Sequence, residues 1–442
     1  MPPTSSPHTM KTAWRGARAA VIGAFIEWYD FYLFGTAAAL IFPRVFFPSD
    51  DPVVSIVNSF GSFAAGFLTR PVGAVLFGHF GDRIGRKPML MLTVMMIGIS
   101  TFIIGLLPGY ATIGVAAPAL LILLRLVQGI GIGGEFGGGA LVALENAPTG
   151  KRGLMGSIHQ MGTPAGLLVS TGVFSLAQLL PEEAFNTWGW RIPFLLSGIF
   201  VIIAIIIRSR MEETTTFAAA KTSVVRLPVG NLLRTEGRTI LLAIGARLSD
   251  AVTYNVINVF AISFATQYLG VASSTMLIGF VIAAAGQFIA IPLYGRLSDR
   301  IGRRPVYLAG IIVCGLGILA YFPALATGNV LLAWLMIVIM VVVGTGLMYS
   351  IQSSFFAEMF PTSTRYTGLG IVYQGSALLG GAPTPAIAIG LAAAFGYSFW
   401  PVALFVLVIA VISAICVVLV KETYRSELPE LKETAPLVAR TP

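Results

Sequence analysis

Apolar residues run along this chain in long blocks, each broken by glycine, proline or a cluster of charges, and the blocks are far too long for strands. A bilayer-spanning helix needs ~20 predominantly apolar residues. Twelve blocks approach that length, at 19–42, 55–78, 89–107, 113–140, 154–180, 190–207, 239–268, 275–294, 306–325, 330–356, 368–394 and 399–420. Transmembrane barrel strands are short, ~10-residue alternating segments, so a barrel is excluded. The pattern predicts an all-α integral membrane protein of two six-helix bundles, 19–207 and 239–420. An N-terminal tail (1–18), a polar linker (208–238) and a C-terminal tail (421–442) flank them.

Composition narrows the class. Only 11% of the 442 residues are charged and 56% are hydrophobic, whereas a soluble domain carries roughly 25% charged residues. A disordered chain, a disulfide scaffold and an ordinary soluble enzyme are thereby excluded. The net charge of +9 invites a nucleic-acid reading, but its placement removes the need for one. Lys11, Arg15, Arg18, Arg83, Arg86, Lys87, Lys151, Arg152, the basic residues of 208–238, Arg296, Arg300, Arg303, Arg304, Arg365 and those of the tail all fall on one side of the predicted bundle. The opposite loops hold Arg44 and Arg191 beside Asp50, Asp51, Glu182 and Glu183. The positive-inside rule then puts both termini and the linker in the cytoplasm, in a cell (inner or plasma) membrane. Glu27 and Asp30 interrupt the first apolar run and no small-residue cleavage site follows, so that run is read as a retained helix rather than a signal peptide. Cys314 and Cys416 sit inside apolar runs and suggest neither a disulfide nor a metal site.

The two halves repeat one another. Gly78-His79-Phe80-Gly81-Asp82-Arg83-Ile84-Gly85-Arg86-Lys87-Pro88 returns as Gly295-Arg296-Leu297-Ser298-Asp299-Arg300-Ile301-Gly302-Arg303-Arg304-Pro305, each between the second and third helix of its half. A second echo follows the fourth helix of each half, Glu145-x-x-Pro148-x-x-x-Arg152 against Glu358-x-x-Pro361-x-x-x-Arg365. Parallel halves with a substrate path at their interface follow from such symmetry.

These residues carry a resemblance. The doubled G-x-x-x-D-R-x-G-R-[KR] loop and Leu121-x-x-x-Arg125-x-x-Gln128-Gly129 resemble signatures of the major facilitator superfamily. Glu27-Trp28-Tyr29-Asp30-Phe31, Arg70-Pro71-x-Gly73, Gly133-Gly134-Glu135-Phe136-Gly137-Gly138 and Trp188-Gly189-Trp190-Arg191-Ile192-Pro193-Phe194 resemble its metabolite–proton symporter family, over about 23–420. Arg247-Leu248-Ser249-Asp250 and Arg365-Tyr366-x-Gly368-x-Gly370-x-x-Tyr373-Gln374 are similar to the branch of shikimate-type permeases. The resemblance implies a twelve-helix facilitator fold whose first, fourth, seventh and tenth helices line the cavity. It also implies that Asp82 and Asp299, with Gly78, Arg83, Gly85, Arg86, Gly295, Arg300, Gly302, Arg303, Glu145, Arg152, Glu358 and Arg365, hold the cytoplasmic side closed. A fifth-helix efflux motif is incomplete, since Leu167 stands where proline is required. That favours uptake over drug–proton antiport.

Ionisable groups at mid-bilayer cost at least ~2.5–3.5 kcal/mol each and ask for a partner or a purpose. Glu27, Asp30, Arg70, Arg125, Glu135, Arg247 and Asp250 are such groups, and near balance of sign predicts pairing across helices. Glu27 and Asp30 share a helix face, as do Arg247, Asp250 and Tyr254. The expected mechanism is symport by linkage. An anionic substrate takes an arginine from its carboxylate, and the carboxylate, stripped of its counter-charge, takes a proton. Asp30 paired to Arg125 leads as proton carrier, ahead of Glu27, Glu135 and Asp250. Arg247 leads as the bidentate contact to substrate, with Arg125, Tyr254, Gln128, Gln352 and Gln374 as further contacts. Arg70 and His159 are read as structural or coupling residues, and buried polar groups of this kind more often join helix–helix networks. The glycine series from Gly129 to Gly139 lacks a preceding strand and a Lys-Ser/Thr, so close helix packing explains it better than phosphate binding.

The expected cargo is a small organic anion such as shikimate or a di- or tricarboxylate. Rivals are a proline or betaine symporter and a drug–proton antiporter. No cofactor beyond the driving proton, no metal and no obligate protein partner is expected, and the chain is expected to act as a monomer. His8, His79 and His159 lie too far apart in sequence and setting for the metal centre that a membrane enzyme would need.

Overall fold

A computed structural model of the chain describes residues 10–148, 150–211 and 228–424. Twelve spanning helices run in order: α1 Met10–Leu40, α2 Pro52–Gly81, α3 Arg86–Leu106, α4 Ala116–Glu145, α5 Arg152–Gln160 continuing as Gly162–Ala177, α6 Ile192–Ser209, α7 Gly237–Tyr268, α8 Ser273–Ile301, α9 Arg303–Ala326, α10 Val330–Ala357, α11 Arg365–Ala394 and α12 Trp400–Leu419. Ten of these are long and apolar enough to cross a membrane on those grounds alone. The other two are α1, diluted by Glu27, Asp30 and its tyrosines, and α5, interrupted at Met161. Leu68, Ile202, Leu331 and Leu404 are among many large apolar side chains left on the outside, a surface that only lipid can cover.

Several boundaries differ from those read in the sequence: α4 runs on to Glu145 rather than Ala140, and α8 to Ile301 rather than Tyr294. The first helix begins at Met10 rather than Ala19, because Ala13 and Ala17 pack against Ala147 and Met155. Arg208, read as linker, belongs to the last turn of α6 and is fully buried. A short helix, Pro228–Thr235, precedes α7, and its Leu232 joins the core. Residues 212–227 of the linker and the tail residues 1–9 and 425–442 lie outside the described residues.

Small residues set the helix spacing in the first half. Gly129 and Gly133 let α4 lie against the backbone of α2, so close that any added Cβ would strike the Gly66 and Arg70 carbonyls. In the second half the helices are interrupted by wide π turns, Val256–Phe260 in α7, Ile339–Thr345 in α10 and Ala377–Gly381 in α11.

The apolar cores show how the halves meet. At the end where α1 begins and α12 ends, here called the basic end, one cluster joins both halves, with Phe77, Phe136 and Leu144 against Phe355, Tyr366 and Leu369. At the opposite end each half keeps its own cluster, one around Phe34 and Phe194 and the other around Phe260 and Phe322. The molecule is therefore sealed at its basic end, with α2 against α11 and α5 against α8 and α10.

Candidate functional site

The seal is built from the repeated loop. Asp82 Oδ2 accepts hydrogen bonds from Thr367 N (3.0 Å) and Thr367 Oγ1 (2.8 Å), and Oδ1 accepts from Tyr366 N (3.2 Å). In the mirror position Asp299 accepts from Gly153 N (2.7 Å) and Leu154 N (2.9 Å). Each carboxylate therefore caps the first turn of a helix in the other half, where orphan N–H groups and the helix dipole favour an anion. Arg86 ties Asp82 (3.3 Å) to Glu145 (3.4 Å), and Glu145 also meets Arg365 at 3.3 Å. Arg303 likewise ties Asp299 (2.8 Å) to Glu358 (3.0 Å). Gly85 and Gly302 turn the chain into α3 and α9 with φ of 129° and 106°, values that L side chains avoid. Gly78 and Gly295 allow close approach: a Cβ at Gly295 would stand 2.6 Å from the Gly153 carbonyl oxygen. Burial pushes the Asp82 carboxyl up to about 6, against the opposing pull of Arg86 and the hydrogen bonds from Thr367 and Tyr366.

Arg83 and Arg300 are a correction. Both are exposed and form no ion pair among the described residues; Arg83 meets His79 (3.3 Å), and the arginines that pair with the latch aspartates are Arg86 and Arg303. Arg152 opens α5 beside the Asp299 cap.

Deeper in the first half, Asp30 and Arg125 form an ion pair at 2.9 Å. Gln128 accepts from Arg125 (2.8 Å) and donates to Asp30 (2.7 Å), while the Thr101 hydroxyl donates to Asp30 (2.7 Å). Phe34 lies 4.0 Å from the guanidinium and Phe63 covers it further. All four polar groups are buried within one half. Arg125 and Gln128, expected as substrate contacts, are here fully buried with partners from their own bundle. Glu135 is enclosed likewise. It is fully buried and held by Arg208 and by Thr93 (2.6 Å), a partner the sequence did not offer because Arg208 was counted with the linker. His159 is buried too, with Nδ1 at the Ala20 carbonyl (3.2 Å) and its ring 5.6 Å from Phe136.

The remaining groups converge between the halves. In the second half, Arg247 donates to Gln352 (3.1 Å), the Tyr373 carbonyl (3.1 Å) and Ser376 (2.6 Å), and Gln352 passes on to Asp250 (2.7 Å). The carboxylate–amide–guanidinium trio of the first half thus recurs, with Gln352 as the bridge in place of a direct ion pair. The Tyr373 ring stacks on Phe136 of the first half (3.6 Å), and Arg247 covers Tyr373 at 3.7 Å. Tyr254 meets Tyr32 hydroxyl to hydroxyl at 2.6 Å, and Tyr349 meets Thr163 at 2.5 Å. Against this wall stand Glu27 and Arg70. Neither forms an ion pair or a hydrogen bond with a described residue. Arg70 rests on Phe67, its guanidinium 4.0 Å from the ring centroid, with Phe31 at 5.7 Å. Gln374 of α11 is buried without a hydrogen-bond partner among the described residues. Among the described residues neither Arg70, read from the sequence as structural or coupling, nor Arg247 forms an ion pair, and Arg247 has neutral hydrogen-bond partners while Arg70 has none.

Two six-helix halves sealed at one end, with unspent charges between them, define a secondary transporter of the facilitator type. The chain belongs to the major facilitator superfamily, among its metabolite transporters. Residues 17–226 match the family of sugar (and other) transporters, and residues 241–441 match the major facilitator superfamily. The shikimate transporter of Escherichia coli (strain K12) is 40% identical over 95% of this chain and 97% of its own. The inner membrane metabolite transport protein YhjE of the same strain is 38% identical over 93% and 94%. A proline/betaine transporter of Salmonella typhimurium (strain LT2) is 34% identical over 92% of this chain and 83% of its own. Among solved structures, the proton:xylose symporter XylE bound to 6-bromo-6-deoxy-D-glucose shares the fold, with a TM-score of 0.74 at 16% identity over 95% of this chain and 98% of that one. The protein is accordingly a multi-pass membrane transporter and not an enzyme.

Proposed function

We propose that the protein carries a small organic anion inward together with one or more protons, across the cell membrane and with both termini in the cytoplasm. The observation that carries this reading is Arg70, a guanidinium on a spanning helix that has no ion-pair partner among the described residues and lies beside Glu27 at the interface of the halves. A carboxylate guest satisfies that guanidinium bidentately. Glu27 then loses the field of its nearest cation and takes up a proton, so guest and proton favour each other's binding. Arg247, Gln374 and the tyrosines of the second half supply further contacts. In this reading the proton-carrier role expected first of Asp30, ahead of Glu27, passes to Glu27, the leading anion contact expected of Arg247 passes to Arg70, and the sealed quartet around Asp30 becomes the scaffold that orients α1. A shikimate-like or di- or tricarboxylate cargo agrees with the similarity to the shikimate transporter.

A zwitterion is the second reading, favoured by the unspent Glu27 carboxylate with Trp28 and Phe31 on the same helix, which suits an ammonium group, and by the proline/betaine relatives. One experiment separates the two. Proteoliposomes under an inward proton gradient are given labelled shikimate, 2-oxoglutarate, citrate, proline or glycine betaine. Gradient-driven accumulation of an acid, lost in Arg70→Gln, supports the first reading; accumulation of betaine alone overturns it.

A further inference from the structure

The two copies of the repeated loop are not equally charged. Next to the Asp299 cap lies a pocket of about 330 Å³ lined by Gly150, Lys151, Leu154, Arg296, Asp299 and Arg300. A second pocket of about 290 Å³ adjoins it through Arg296 and Arg300 and is otherwise lined by Leu293 and Leu297. Lys151, Arg296 and Arg300 are exposed and form no ion pair among the described residues; Lys151 Nζ lies 3.6 Å from Met10 Sδ. The Asp299 carboxylate faces the same pocket, but its oxygens are already held by Gly153 N, Leu154 N and Arg303. At the mirror position His79 replaces Arg296 and Thr364 replaces Lys151, so only one of the two latches carries three cations.

We infer that this double pocket binds the phosphate headgroup of an anionic phospholipid, with the headgroup among Lys151, Arg296 and Arg300 and an acyl chain along Leu293 and Leu297. Phosphate is the chemistry that three converging cations recognise. The continuation onto leucines that are 59% and 39% exposed assigns the amphiphile over a free phosphate ion. Lys151 belongs to the first half and both arginines to the second, so the site is complete only while α5 and α8 are together. A lipid bound there holds the basic end shut, because a ligand stabilises the state that binds it. The anionic leaflet at the basic end supplies such lipids without any soluble factor.

The test reads closure rather than transport, so its failure is distinct from failure of the proposed cargo. Full-length protein with fluorophores on the basic ends of α5 and α8 is reconstituted in phosphatidylcholine, in phosphatidylcholine mixed with phosphatidylglycerol, and in phosphatidylcholine with inorganic phosphate. Phosphatidylglycerol is expected to raise the closed-to-open ratio, and Arg296→Gln with Arg300→Gln to lower that gain by about fivefold per cation removed. Arg296→Lys with Arg300→Lys is expected to retain it, and the mirror variant His79→Gln with Arg83→Gln to leave it unchanged. An equal response to inorganic phosphate, or an undiminished lipid response in the glutamine variant, overturns the assignment.

Discussion

Asp82 holds Thr367 twice, through its N–H at 3.0 Å and its hydroxyl at 2.8 Å, across 285 residues of chain and across the boundary between the halves. The burial that accompanies this grip raises the Asp82 carboxyl from 3.8 to about 6. Opening returns it to water and to its ordinary range. The closed state therefore binds the proton more tightly, and closure gains as pH falls. The gain is fully present below the ordinary carboxyl range and is lost as pH rises through about 6. Two pH units correspond to at most about 3 kcal/mol. Fluorescence distance measurements between α2 and α11 are expected to show this dependence in the parent and a flat profile in Asp82→Asn. That variant is also expected to alter turnover while leaving cargo affinity nearly unchanged.

Arg70→Gln is expected to weaken cargo binding by about 10- to 100-fold, the worth of a hydrogen-bonded charge contact, as read by calorimetry on purified protein. Arg70→Lys keeps the charge without the planar fork and should recover part of the loss. Glu27→Gln is expected to abolish accumulation against a gradient while exchange of labelled for unlabelled cargo persists. Accumulation that survives in Glu27→Gln would return the carrier role to Asp30.

Removing one member of the sealed pair should cost stability. Asp30→Asn leaves Arg125 buried without its counter-ion, at about 3–5 kcal/mol, and thermal unfolding in detergent is expected to fall accordingly. The double variant Asp30→Asn with Arg125→Met should recover much of that loss, because the orphaned charge is gone. A purely additive double variant would contradict the pairing.

Gly295→Ala places a methyl against the Gly153 carbonyl, where the backbone leaves no room. Overpacking of this kind costs about 1–3 kcal/mol, and it falls on the closed state alone. Cysteine labelling from the basic side should therefore rise, in the direction opposite to the effect of acid.

Much of this architecture is legible in the sequence. The apolar blocks place all twelve helices, and the repeat places both latch aspartates because a carboxylate, a glycine turn and an arginine recur at fixed spacing. Pairing of Asp30 with Arg125 also follows from sign and depth. What the sequence withholds is rotation. Arg70 and Arg125 look alike as single cations in apolar runs, and only packing shows that Arg125 turns into its own bundle while Arg70 faces the interface. Arg208 was hidden for a different reason, since it follows an apolar block and opens a basic stretch, where a solvated residue is the ordinary outcome. The stripe of Arg247, Asp250 and Tyr254 holds because it precedes the π turn at Val256; spacing beyond that point no longer follows an α-helical wheel.

Those π turns lie in α7, α10 and α11, all in the second half among the described residues. A wide turn holds its backbone ring with one residue more than usual, and it can migrate by handing that residue to the next turn. Twin halves born of one repeated pattern thus differ in compliance: one is a stiff jaw spaced by glycine, the other a jaw whose fingers can re-aim. Amide exchange should run faster around residues 256–260, 339–345 and 377–381 than at matching depths of α1, α4 and α5, so that the cargo is fitted chiefly by movement on one side of the path.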